Sequence, residues 1–190
     1  MLQEFVQEVL NAGKEGLADV HTAIPGKIVA VDPTTGTATV LPVMKMKAAN
    51  GTSLDYPQIS GVPIVFPQGA AQSVSIAYPV LPGDGCLLII MEQSMDYWMY
   101  GRETGTNLKF DLTNAVCIPG MFATPSPALM DAVATSSIVL QAGGTSLKVG
   151  PGGITITGDV TVSGDVRASG KSLASHTHTD GDGATTSGPQ

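Results

Sequence analysis

From Gly152 the chain advances in steps of six: Gly152 to Thr157, Gly158 to Ser163, Gly164 to Ser169 and Gly170 to Ser175, with His176-Thr177-His178 following at once. Each step opens with glycine and continues with small or β-branched residues, as in Gly158-Asp159-Val160-Thr161-Val162-Ser163, so one repeat supplies a turn and a short strand. A strand of three or four residues cannot bury a hydrophobic face alone, and one chain of such hexads has almost no inside. The pattern predicts a narrow β-structured shaft built by several chains, most simply three, wound about a common axis, with a metal-binding tip at the paired histidines.

The aromatic residues mark where this segment parts from the rest. All four Tyr, all four Phe and the one Trp lie between Phe5 and Phe122, so the C-terminal third cannot build an ordinary mixed core. Its Val, Ile, Leu and Ala alternate in short runs, which suits thin intertwined strands. Sixteen acidic residues against nine basic ones give a net charge of −7, and no Lys/Arg cluster is present, which argues against a nucleic-acid partner. The first residues carry Gln3, Glu4 and Glu8 within an apolar pattern and do not read as a secretory signal, and no stretch approaches the ~20 apolar residues of a membrane span. The expectation is synthesis and retention in the cytosol unless other machinery delivers the chain. Cys86 and Cys117 sit in apolar strand-like runs and are expected to be buried, reduced thiols rather than a disulfide.

Leu2, Phe5, Val6, Val9 and Leu10 recur on one helical face, predicting a short amphipathic helix over residues 2 to about 18 that must dock on its own domain or on a partner. From Gly26 the period falls to two. Lys27 to Val31, the turn Asp32-Pro33-Thr34-Thr35-Gly36, and Thr37 to Lys47 read as a hairpin, Asn50-Gly51 as a second turn, and 59–66, 73–78, 85–92 and 95–100 as further strands. Such a series predicts a small antiparallel barrel or sandwich. Three prolines over 119–130 predict an extended linker. Ile138 to Leu140, Leu147 to Val149 and Ile154 to Thr157 read as short strands at the start of the shaft. The resulting division is a helix over 1–20, a barrel over 21–120, a linker over 121–135, a shaft over 136–173 and an apex over 174–190.

Two segments carry a family resemblance. Pro82-Gly83-Asp84-Gly85-Cys86-Leu87-Leu88-Ile89-Ile90, then Met95-Asp96-Tyr97-Trp98, Asp111-Leu112 and Ile118-Pro119-Gly120, resembles the N-terminal oligosaccharide-binding-type (OB) barrel of the central spike, or tail-tip puncturing protein, of contractile phage tails and phage-tail-like particles. Ser175-His176-Thr177-His178 with the Gly/Thr-rich tail and Ser187-Gly188-Pro189 resembles the iron-binding His-x-His apex of those spikes. The resemblance implies an all-β chain: an OB-type barrel, an intertwined trimeric β-helix shaft and a small metal-binding apex, besides the short N-terminal helix. It also implies a homotrimer that caps the tail tube, attached through its barrel to a baseplate hub. This chain has a short shaft and no inserted lysozyme-like domain, so wall-degrading activity does not carry over.

Residues i and i+2 of a strand project to one side, so His176 and His178 are expected to point together. Three copies would bring six imidazole nitrogens to the axis, an octahedral set, whereas tetrahedral Zn would leave two ligands idle. Imidazole suits Fe, Ni, Cu and Zn about equally, and it is the count together with the resemblance that selects iron, one ion shared by three chains. Ligation requires neutral rings, so binding should weaken below a pH of about 6. The bland alternative is a disordered polar tail with two accidental histidines. His21, before the barrel, reads as a solvated or capping residue.

Other motifs carry less. Gly170-Lys171-Ser172 ends like a phosphate loop, but Gly164 is one residue too far upstream and no helix follows. Asp180-x-Asp182-Gly183 echoes a calcium loop without its later ligands, and Asp159 and Asp165 read as a solvated row at turns. Asn50-Gly51-Thr52 fits a glycan acceptor, though its reading as a turn is preferred. Met95, Tyr97 and Trp98 read as core or trimer-interface residues in preference to a ligand platform. No catalytic motif appears. The expected function is therefore a non-enzymatic spike at the tail baseplate tip of a virion or tail-like particle, which pierces the target cell's outer envelope. The rivals are a glycan-binding tail fibre or adhesin and a β-helical polysaccharide depolymerase.

Overall fold

The computed structural model describes residues 2–18, 20–48 and 50–188 and divides into two compact units, 1–124 and 125–190. The protein is mostly β, with few helices.

The first unit opens with α1 (Leu2–Ala18), whose Phe5, Val6, Val9 and Leu10 are all exposed. β1 (Ala23–Asp32) and β2 (Thr37–Pro42) then form the expected hairpin. Its turn is built from its own residues: Asp32 Oδ1 accepts from the Thr34 amide at 2.9 Å and from the Thr34 hydroxyl at 2.6 Å, and Gly36 takes the positive φ of 67° that closes the loop. A bulge between Ile28 and Ala30 shifts the register, and the in-out alternation of β1 stops there. β3 (Lys45–Lys47) and β4 (Ser53–Asp55) make a second hairpin around Asn50-Gly51, tied by a Lys45–Asp55 ion pair. β5 (Ile59–Pro63) follows, then the short pair β6 (Gln68–Gly69) and β7 (Val74–Ser75), then β8 (Gly85–Ile90) and β9 (Ala115–Pro119).

The main sheet runs β5-β2-β1-β8-β9 with antiparallel neighbours throughout. It curls until its outer strands meet: Ile64 bridges Cys117 in parallel, and the Val65 amide donates to the Cys117 carbonyl at 2.8 Å. The result is a curled half-barrel of five antiparallel strands, consistent with the all-β class expected. Alternate residues line its inside. Ile24 and Ile28, Ala38 and Val40, Ile59 and Val62, Cys86, Leu88 and Ile90, and Ala115 and Cys117 form one buried cluster. The chain past β9 presses on β8 so closely that a Cβ on Gly85 would overlap the Met121 carbonyl, and Gly120 donates its amide to Gly85 at 2.9 Å.

Residues 95–100 were expected to be a strand and are instead a single helical turn, α2 (Asp96–Tyr100), ended by Gly101 at φ 67°. Two buried side chains hold the long β8–β9 connection in that shape. Asn114 donates Nδ2 to the carbonyls of Gln93 at 2.8 Å and Leu108 at 3.0 Å, and accepts from the Met95 amide at 3.2 Å. Asp96 accepts from the Thr104 amide at 3.0 Å and from its hydroxyl, and these bonds hold its carboxyl below the usual carboxylate range. The helical turn leaves Tyr97 and Trp98 66% and 75% exposed, which rules out the core alternative for them.

In the second unit the extended course expected over 119–130 ends at Ser126. α3 (Pro127–Thr135) begins there because the Ser126 hydroxyl caps the Leu129 amide at 3.1 Å and Pro127 sits where its missing amide costs nothing. β10 (Ile138–Ala142), β11 (Thr145–Gly150) and β12 (Gly153–Thr157) follow as an antiparallel meander. Within one chain the hexads do not all form strands. The first is β12, the second has none, and the third and fourth share the hairpin of β13 (Arg167–Ala168) and β14 (Lys171–Ser172).

The meander has two unlike faces. Pairing aligns Ile138, Val149 and Ile154 in one row and Leu140, Leu147 and Ile156 in the next, so six aliphatic side chains share one face. Five of them are exposed and Leu147 is half-buried. The other face carries Val139, Lys148 and Thr155, and Lys148 Nζ reaches Asp131 of α3 at 2.8 Å, tying the helix to that side.

Candidate metal site

The candidate site is set up by a two-residue turn between β13 and β14. Ser169 and Gly170 both have positive φ, 50° and 79°, the conformation whose twist matches a tight hairpin. Asp165, just before β13, then gathers the residues that follow β14. Its Oδ1 accepts from the Ser172 hydroxyl at 2.8 Å and the Ala174 amide at 3.2 Å, and its Oδ2 from Arg167 Nε at 3.0 Å. The Ser172 hydroxyl, first among these, holds the Asp165 carboxyl below its ordinary range, so it is ionised across neutral pH. Asp165 is exposed, as expected, and is in addition an acceptor that ties the two sides of the hairpin together.

His176 and His178 are brought together as expected of positions i and i+2. Their ring centroids lie 5.0 Å apart at an interplanar angle of 79°. His176 is half-buried, and its Nδ1 lies 2.9 Å from the Ser172 carbonyl oxygen and 3.2 Å from that of Leu173. A carbonyl can only accept, so the hydrogen sits on Nδ1 and the lone pair of a neutral ring is left on Nε2. His178 is exposed, and among the described residues its ring makes no hydrogen bond.

The tail folds back along the histidine segment. The His178 amide donates to Thr186 Oγ1 at 3.0 Å, the Thr186 amide to the His178 carbonyl at 2.8 Å, and Thr179 bridges Thr185. Asp180 closes the loop by accepting from the Ala184 amide at 2.7 Å and the Asp182 amide at 3.1 Å. Its Oδ1 is engaged in a turn. Pro189, part of the resemblance at the tail, lies outside the described residues.

Two adjacent imidazoles, one with Nε2 unengaged, fit part of the donor set of an imidazole-ligated ion. No group of three or more His, Cys, Asp or Glu gathers in one chain among the described residues, so a chain offers two imidazoles and no more. Two imidazoles are half of a tetrahedral donor set and a third of an octahedral one.

The remaining sequence candidates lie elsewhere. His21 belongs to the first unit and meets Tyr56 edge-on at 6.0 Å. Cys86 and Cys117 are free, buried and on adjacent strands. The hydrogen bond Cys117 gives Cys86, with burial, pushes its thiol pKa far up, so it does not ionise. Sequence reasoning missed the Asp165–Ser172 pair. Its signal was an Asp and a Ser seven positions apart across a Ser-Gly turn, visible only once that turn is recognised.

No curated protein matches the chain. A family model described as the phage protein Gp138 N-terminal domain matches residues 24–120, the span of the curled sheet and just over half of the sequence. The chain therefore belongs to the Gp138 N-terminal-domain family of phage proteins, and is a phage structural protein with a place in or on the virion.

Proposed function

We propose that this chain is the non-enzymatic central spike of a contractile phage tail or tail-like particle. Three copies cap the tail tube, with the OB-type barrel on a baseplate hub. The shaft carries the axial load of sheath contraction, and the apex pierces the outer envelope of the target cell. The observation that most favours this is the pair of adjacent imidazoles near the C-terminus, one with Nε2 kept free and with no third His, Cys, Asp or Glu grouped beside them among the described residues.

An iron ion bound by His176 and His178 of three copies would supply a cross-link. The protein's part is to keep the rings neutral, adjacent and at the chain's end. Termini fray because they lack neighbours, and tying three of them at one point gives a small stiff apex. The uncovered aliphatic face of the meander supports the same assembly, since three such faces turned inward bury one another.

A second reading, a glycan-binding tail fibre or adhesin, draws on one observation. Tyr97 stands at a cleft of about 400 Å³ that Gln93, Glu103 and Asn107 also line, with Trp98 exposed beside it in sequence. Elemental analysis of full-length protein purified without chelator separates the two. About one iron per three chains, lost in His176→Ala and His178→Ala, supports the spike. Metal-free protein that binds envelope saccharide with Trp98 fluorescence changing on titration supports the adhesin.

A further inference from the structure

We infer that Asp165, acting through Ser172, is a positioning residue that presents His176 to the metal through Nε2. This deepens the apex function proposed above and rests on it. The direction of every proton in the chain of contacts is forced. Asp165 is a carboxylate and only accepts, so the Ser172 hydroxyl donates its one proton to it at 2.8 Å. Ser172 Oγ then has lone pairs alone to offer, and takes the Ser175 amide at 2.9 Å and the Ser175 hydroxyl at 2.8 Å.

These bonds close the turn from Ser172 to His176 and aim the Ser172 carbonyl at the histidine. That one oxygen receives both the His176 amide at 3.1 Å and Nδ1–H at 2.9 Å. The ring's tautomer and its orientation are therefore both fixed by backbone that Asp165 holds from seven residues before Ser172, while the Ala174 amide on the same carboxylate oxygen steadies the middle of the turn. Ligating histidines depend on such a partner for the second nitrogen, and loss of outer partners weakens metal affinity about 10–100-fold. His178 has no comparable ring anchor among the described residues, so His176 is the fixed ligand of the pair and His178 the adaptable one.

The test compares full-length wild type with Asp165→Ala, Ser172→Ala and Asp165→Asn, each checked for unchanged sedimentation. Long-range 1H–15N spectra of histidine-labelled, metal-stripped protein should show His176 as the Nδ1–H tautomer in wild type and as a mixture in Asp165→Ala and Ser172→Ala. Iron retained against increasing chelator should fall about 10–100-fold sooner in those two variants, with Asp165→Asn closer to wild type because its amide oxygen still accepts from Ser172 and Ala174. Wild-type tautomer and wild-type retention in both Asp165→Ala and Ser172→Ala would overturn the assignment, as would an Nε2–H tautomer in the wild type. Should wild type itself carry no iron, the apex function fails separately, and the tautomer spectra alone decide the role of Asp165. An Asp165→Ala chain that no longer sediments as wild type leaves Ser172→Ala, which keeps the Arg167 and Ala174 contacts, to decide it.

Discussion

Ile154→Asp should abolish assembly while leaving the single chain's own fold nearly untouched. Ile154 is 68% exposed within one chain, in a row with Ile138 at 67% and Val149 at 39%. Full burial of such a side chain contributes about 1.5–3 kcal/mol, so covering the half that stays open contributes about 1 kcal/mol for each of the six residues on this face. An aspartate at 154 loses that gain and adds the desolvation of a charge, together at least about 3 kcal/mol per chain. Over three copies this is about 10 kcal/mol, a fall of about seven powers of ten in the association constant. In the isolated chain an exposed substitution should cost within about 0.5 kcal/mol. Thr155→Asp is the control, since residue 155 pairs with Lys148 on the opposite face. Sedimentation velocity over a range of concentrations should show Ile154→Asp as monomer and Thr155→Asp as wild type. Equal association of the two variants would refute the idea that this face is the buried one.

Leu88, fully buried inside the curled sheet, should cost about 2–5 kcal/mol on truncation to Ala, read as a lowered midpoint in urea with unchanged slope. Acid should weaken the first unit in a defined window. The carboxyls of Asp32, Asp96 and Asp111 are held low chiefly by hydroxyl bonds from Thr34, Thr104 and Thr113, so the folded state binds protons less readily than the unfolded one. Their stabilisation is complete above the ordinary carboxylate value of 3.8 and is lost as pH falls through the lower folded values, which thermal melts between pH 2 and 6 would show as a plateau and then a steep decline. Cys86 and Cys117 should resist thiol reagents until the protein unfolds, and labelling at native rates would contradict their burial.

The parts of the fold that sequence made legible are those whose causes are local. Asp32 and Gly36 make their turn from their own side chain and backbone, Asn50-Gly51 does the same, and the alternation of β2 and β8 puts Val40 and Leu88 inward without outside help. Residues 95–100 misled because their shape is imposed from afar, by Asn114 and by Thr104 on Asp96. The start of α3 was readable in Ser126-Pro127, a cap followed by a first-turn proline, but three prolines in one stretch drew the expectation toward an extended chain. Near the C-terminus, the i, i+2 spacing was enough to pair His176 with His178, while the bond between Asp165 and Ser172, whose carbonyl meets His176 Nδ1, follows from no local pattern. In the hexads the period is plain and the strands are few, because segments this short bury too little of their own surface to hold a strand by local pattern alone.

Convergence of three chain ends on one cation is tested most directly by native mass spectrometry of the full-length protein, prepared without chelator and sprayed from dilute buffer. The predicted species has three times the 19.4 kDa chain mass plus a single iron, and the iron leaves when His176 and His178 are both replaced. A bare monomer, or a trimer that carries one ion on every chain, would contradict it.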